Sequence, residues 1–219
     1  MIIGLLGTRV GNLSQWGKTE TALKLQTQAY DLARSRLGTT DPITLEAMCD
    51  LSRLHCRLGN DAKSRRNTTA ATKEFDQAIK LSRKAYELSN KFLGESHPAT
   101  LDKLNALAVA IGEKGDYSKA IPIMTRVHKL RCEVLGEDHL DTLESLSNLS
   151  GMHSHRGKPD KVLKMELEVY ESCCRILGQK HSTTIRYLEN VAGAYSRAGQ
   201  DAEALRTDQK IYDLRKEVQ

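Results

Sequence analysis

Hydrophobic residues in this chain fall at helical spacing, and the pattern then repeats. Leu101, Leu104, Leu107, Ala108 and Ile111 stand at i, i+3, i+6, i+7 and i+10, which places them on one face of an α-helix. Gly115-Asp116 follows, and glycine takes the left-handed cap at a helix C-terminus with little steric cost, so the helix is predicted to stop there. A second helix is predicted from about Tyr117, with Ala120, Ile121, Met124, Val127, Leu130 and Val134 turned inward and Leu135-Gly136 ending it. In the polar turn that comes next, His139 to Asp141 supply cap candidates just ahead of Thr142-Leu143. The unit is an antiparallel helix pair.

That pair recurs along the chain. The Leu-Gly dipeptide appears at Leu37-Gly38, Leu93-Gly94, Leu135-Gly136 and Leu177-Gly178, at intervals of 56, 42 and 42 residues. Thr44-Leu45, Thr100-Leu101, Thr142-Leu143 and Thr184-Ile185 each precede a glycine by 15 residues: Gly59, Gly115, Gly157 and Gly199. Gly17 lies 42 residues before Gly59. A fixed period of this size marks a stacked array of supersecondary units, each contacting its neighbours. The expected fold class is therefore all-α, an α-solenoid of tandem antiparallel helix pairs. One array is expected over 1–219, with pairs at about 1–38, 39–94, 95–136, 137–178 and 179–219.

Packing residues keep the same register. Small residues on the first helix (Ser52, Ala108, Ser150, Ala192) are expected to face small ones on the second (Ala22, Ala78, Ala120, Val162, Ala204) and to let the helices approach closely. Tyr30, Tyr86, His128, Tyr170 and Tyr212 form a column of one ring per repeat, read as core or inter-repeat packing.

The unit LGxxHxxTLxxLxxLAxxxxxxGxYxxA resembles a tetratricopeptide repeat of the long kind found in kinesin light chains, and the likeness covers residues 18 to 219. The resemblance implies a right-handed superhelix with first helices lining a concave face. It also implies a partner protein or peptide held on that face.

Two stretches depart from the unit. Asp61 to Glu74, reading DAKSRRNTTAATKE, is a 14-residue insertion with four basic and two acidic residues and no apolar face. It is expected as a solvated loop or a polar extension of the second helix. Within it, Arg65-Arg66-Asn67-Thr68 has the form that basophilic kinases favour, which makes Thr68 a candidate regulatory site. At the ends, Gly4, Gly7 and Gly11 make residues 1 to 16 a poor helix, and no polar capping helix follows Gln219. Further repeats beyond the C-terminus are one expectation. Self-association through Leu205, Ile211, Leu214 and Val218 is the other.

Composition adds little except by exclusion. The net charge of +5 is modest, and no basic run marks a nucleic-acid track. Five cysteines, an odd number that includes Cys173-Cys174, do not form a disulfide framework, and a reducing, cytoplasmic setting is expected. The opening MIIGLLG is too short to span a bilayer.

Candidate chemistry dissolves into the repeat. Gly17-Lys18-Thr19 suggests a phosphate-binding loop, but the required first glycine is Asn12, and Gly17 already holds its repeat position. His97, His139 and His181 recur at 42, with Asp41 at the equivalent place, and are read as turn-stabilising residues rather than metal ligands. His55 and His153 hold a place taken elsewhere by Ile111 and Tyr195, hence core. No catalytic residue, metal or cofactor is assigned, and the chain is not expected to be an enzyme.

What remains is the concave groove that the resemblance implies, lined by first-helix positions between the core leucines. Those are Glu46, Cys49, Arg53 and Arg57; Asp102, Asn105, Val109 and Glu113; Glu144, Ser147, Asn148, Gly151 and His155; and Arg186, Glu189, Asn190, Gly193 and Arg197. Four arginines stand against five carboxylates, so the strip is near neutral and does not suit nucleic acid. The expected function is a non-catalytic scaffold that captures a partner's peptide or helix. The rivals are a structural or oligomerisation module, or the sensor array of a larger signalling protein.

Overall fold

The computed structural model describes residues 19–218, with side chains through 217. The expected first helix of the opening pair, the Gly17-Lys18 motif and the Val218 side chain lie outside the described residues. Among those residues there are nine α-helices and no strand. They are α1 (Thr19–Leu37), α2 (Pro42–Ser64), α3 (Thr68–Leu93), α4 (Pro98–Glu113), α5 (Tyr117–Leu135), α6 (Leu140–Ser154), α7 (Pro159–Leu177), α8 (Ser182–Arg197) and α9 (Asp201–Val218). The chain divides into two compact units, Met1–Ile123 and Met124–Gln219.

The repeat residues build each pair as expected. Gly115, Gly157 and Gly199 take φ of +97°, +66° and +71° where the first helices end. Gly94, Gly136 and Gly178 take φ between +82° and +92° where the second helices end. His97, His139 and His181 are N-caps: each Nδ1 accepts the backbone N–H two residues on, at 3.2 Å. Asp41 does the same for Ile43 at 2.8 Å. Behind each cap Thr44, Thr100, Thr142 and Thr184 are fully buried. Thr142 Oγ1 donates to the Gly136 carbonyl at 2.8 Å and so ties the turn to the helix that follows.

In the first unit, Leu45, Met48 and Cys49 of α2 pack with Ala85 of α3, and Tyr30 and Leu88 close the cluster. Ser52 Oγ donates to the Ala78 carbonyl at 2.9 Å, a contact that needs both residues to be small. In the second unit, Ile185, Leu188, Val191 and Ala192 of α8 pack with Ile211 and Leu214 of α9, with Tyr170 against them. The tyrosine column therefore packs as expected at Tyr30 and Tyr170, whereas Tyr212 is 63% exposed.

Three expectations are corrected. Val134 is exposed: the inward stripe of α5 runs through Ala120, Met124, Val127 and Arg131, and Val134 stands in the last turn. Arg131 is a buried charge, held by donation from its guanidinium to the Asp141 carbonyl at 2.5 Å, with Glu144 at 3.8 Å. His55 is half-buried rather than core and pairs with Glu74 at 2.7 Å, because the lengthened α3 brings a carboxylate opposite it. His153, by contrast, is buried as expected.

The third correction concerns the insertion, which is neither a loop nor an extension of one helix. Helix α2 has 23 residues where α4 has 16, and α3 has 26 where α5 has 19. The 14 residues thus lengthen both helices of the pair by seven each. Gly59, at the place of the stop signals Gly115 and Gly157, lies inside α2 and is buried. A Cβ there would stand 2.6 Å from a ring carbon of Phe75, itself 3% exposed. This glycine serves close helix contact instead of a cap. The reversal comes later, at Arg66 (φ +59°), and the Asn67 side chain caps α3 by accepting the Ala70 N–H at 3.1 Å.

Candidate functional site

Helical spacing divides each first helix into a packed face and a strip between the leucines, and the strip is the candidate site. In α6, Leu143, Leu146, Leu149 and Ser150 are buried. Glu144, Gly151 and His155 are exposed, and Ser147 and Asn148 half-buried. In α8, Ile185, Leu188, Val191 and Ala192 are buried, Arg186 and Arg197 exposed, and Glu189, Asn190 and Gly193 half-buried. The same division holds in α4, with Asp102 exposed and Asn105, Val109 and Glu113 half-buried.

Helix α2 breaks the pattern at one place. Glu46, Arg53 and Arg57 are exposed, but Cys49 is 1% exposed and belongs to the core, not to the strip. Cys56 is buried as well. Desolvation pushes both thiols up to about 12, so neither is a ready nucleophile.

Many strip residues are already engaged. Glu46 pairs with Lys103 and with Arg53 (3.0 Å), and Arg53 also pairs with Asp50. Burial opposes ionisation of Glu46, but the two cations outweigh it and hold the carboxyl below its ordinary value. Asn60 donates to Glu113 at 2.7 Å, Glu189 pairs with Arg215, and the Arg186 guanidinium lies over the Tyr187 ring at 4.6 Å. At Gly151 a Cβ would meet nothing within 4 Å, so open space stands there. Gly193 instead has the Arg197 guanidinium 3.4 Å from its Cβ position.

Two features escaped the sequence reading. One is a cavity of about 730 Å³ in the first unit, walled by Pro42, Ile43, Phe92, Leu93 and Ala99 and edged by Glu46, Asp102 and Lys103. Its signal was available: Ile43 stands where the other repeats have Ala99, Asp141 and Thr183, so packing does not require it. Ile43 and Phe92 are 49% and 60% exposed. The other is Glu166 in α7, a carboxylate 4% exposed. It accepts from Ser147 Oγ (3.3 Å) and Asn190 Nδ2 (3.3 Å), and Asn190 Nδ2 also donates to Ser147 Oγ (3.1 Å).

No group of three or more His, Cys, Asp or Glu side chains placed to hold a metal occurs among the described residues. Nor is any described helix long and apolar enough to cross a membrane. Thr68 is the first residue of α3 and exposed, immediately after the Asn67 cap.

Paired helices whose capping residues and terminal glycines recur, mostly at a 42-residue period, define a helical-repeat protein. The tetratricopeptide repeat model matches residues 67–133 and 100–175, and the chain belongs to that family. Its fold is similar to that of a Podosopora anserina protein with kinesin light chain nearly identical TPR-like repeats (TM-score 0.68, 19% identity, 99% of this chain and 96% of that one). It is also similar to BtubC (BKLC) from P. vanneervenii (TM-score 0.71, 14% identity, 97% and 79%). MamA from Desulfovibrio magneticus RS-1 matches less well (TM-score 0.54, 12% identity, 98% and 96%). At these identities the likeness concerns the fold. No curated protein sequence matches this chain.

Proposed function

We propose that this chain is a non-catalytic binding module that captures a peptide or helix of a partner protein along the exposed strips of its first helices. Tetratricopeptide repeats generally mediate protein–protein interaction, and the finer reading rests on how each first helix is divided. Apolar positions are used up in packing, while the strip between them keeps polar groups at the surface and open space at Gly151. A rigid surface of that kind leaves most of the ordering cost of association to the ligand. The cavity beside Ile43 and Phe92 offers the first unit an apolar socket for an anchoring side chain. Thr68 is the candidate point of regulation, since a phosphate there would offset the positive charge of Arg65 and Arg66.

The test is selection of a phage-displayed random peptide library on the purified chain, with affinities then measured by calorimetry. Selected peptides should bind at least tenfold more weakly to the Asn148→Ala, Asn190→Ala double variant. Unchanged binding to that variant, or no selected peptide that binds in solution, would sink the reading.

Leu205, at 70% exposed, and Tyr212 favour a second reading, self-association through α9. Ile211 and Leu214 do not contribute to such a surface, because both are buried within their own pair. Light-scattering mass that rises with concentration in the parent, and not in Leu205→Asp, would support it.

A further inference from the structure

Glu166, on α7 and bonded to the strip residues Ser147 and Asn190, is a buried charge that packing does not explain. At the equivalent places of the other second helices stand Gln26, Ser82 and Met124, all buried and uncharged, and Asp208, a carboxylate that is exposed to water on α9. Burying a carboxylate without a counter-ion is costly, and such groups are ordinarily paired with a cation. Here every hydrogen-bond donor around it is neutral: Ser147 and Ser150 from α6, and Asn190 from α8. No cation lies within ion-pair distance of Glu166 among the described residues. Arg197, on α8, reaches it only through longer-range attraction and rests against Gly193. Burial raises the Glu166 carboxyl above its ordinary value, and those three donors with Arg197 oppose the rise.

The carboxylate also fixes which way its neighbours point. An ionised carboxylate accepts and never donates, so the Asn190 amide must turn its nitrogen inward. Both Nδ2 hydrogens are then used, one on Glu166 and one on Ser147, and the Ser147 hydroxyl in turn donates to Glu166. Asn190 Oδ1 accepts no hydrogen bond among the described residues and is the free acceptor of this half-buried amide, whose nitrogen is held by the Glu166 carboxylate. The positive end of the amide dipole is buried and the negative end presented.

We propose that Ser147, Glu166 and Asn190 form a subsite for a cationic side chain, the ammonium of a lysine or the guanidinium of an arginine in the bound partner. A donor carrying positive charge would meet Asn190 Oδ1 directly and would give Glu166 its missing counter-ion. A carboxylate or phosphate would meet an acceptor and a buried negative charge and be repelled. The proposal rests on the strip being where the partner binds, and adds which chemistry is read there.

The test uses the library-selected peptides on the full chain, restricted to those weakened by the Asn148→Ala, Asn190→Ala double variant. These should share a lysine or arginine at one fixed position. Replacing it with norleucine should weaken binding at least tenfold to the parent chain. In Glu166→Gln, which keeps the size and hydrogen-bonding reach but not the charge, that penalty should fall below threefold. Circular dichroism checks that the variant remains folded. Strip-dependent peptides with no basic position, or a norleucine penalty equal in parent and Glu166→Gln, would overturn the subsite while leaving peptide capture intact. Absence of any strip-dependent peptide would overturn both.

Discussion

Helix pairs α2–α3 and α6–α7 are written in the same repeat, yet the shared residues act differently in each. Gly157 closes α6 in a left-handed conformation, whereas Gly59 lies inside its helix, which runs on to Ser64, and makes room for Phe75. Asp41 caps α2 where His139 caps α6. Ser82 lies on the inward face of α3 where α7 carries Glu166. A repeat fixes where a residue stands; the length of its helix and its neighbours decide what it does there.

The sharpest way to break the comparison is to remove the difference. Excising Asp61–Glu74 joins Asn60 to Phe75 and restores the spacing of Gly115-Asp116-Tyr117. That chain should fold cooperatively, losing only the helical signal of the excised residues by circular dichroism. Removing just Thr68–Glu74 shortens one helix and leaves its partner long. This should abolish cooperative urea unfolding of the first unit, and equal cooperativity in both deletions would refute the paired extension.

Next in size is a Cβ at each glycine. Gly59→Ala should cost about 2 kcal/mol, an overpacking effect against the Phe75 ring only partly offset by better helix propensity. Phe75→Leu should recover part of that loss in a double-mutant cycle. Gly157→Ala should cost about 1 kcal/mol, through backbone strain alone, and should show no coupling to core substitutions.

The caps come third. Asp41→Ala and His139→Ala should each lose about 1 kcal/mol of stability in urea titrations, since each removes one acceptor from a helix N-terminus. His139→Asp should be neutral or better.

The smallest effect contrasts Ser82 with Glu166. Because burial raises the Glu166 carboxyl above 4.5, the folded chain holds that proton more firmly than the unfolded chain. Its stabilising contribution is full at low pH and is lost as pH rises through the folded value. Glu166→Gln should therefore gain on the parent as pH rises from about 4 to 7, by about 1 kcal/mol or less. Ser82→Ala should show no such trend against pH in thermal melts.

Helix pairs, boundaries and most of the core were legible because they depend on residue spacing, and the 42-residue period repeats that spacing. The caps were legible too, since His97, His139 and His181 stand directly before the helices they start. The split of the insertion was not. Gly59-Asn60 reads like the stop at Gly115-Asp116, and nothing local shows that the chain continues as helix to Ser64. Glu166 and Arg131 were missed for a related reason: apolar patterning looks for apolar residues, and a buried charge at an inward place leaves only a gap in the stripe. Cys49 went the other way, assigned to the strip by position although its small apolar side chain packs with Leu45 and Met48.

Seven residues carry an α-helix through about 700°, some 20° short of two complete rotations. Adding seven to each arm of the α2–α3 hairpin therefore brings both inward faces back almost to their starting phase, and Phe75 and Ala71 point inward along with the older stripe. An insertion of two or five residues per arm, about 200° or 500°, would have swung those faces toward water. Growth of such a hairpin by matched heptads keeps each inward face within about 20° of its original phase. The fourteen residues between Asn60 and Phe75 are one such step, seven on each arm.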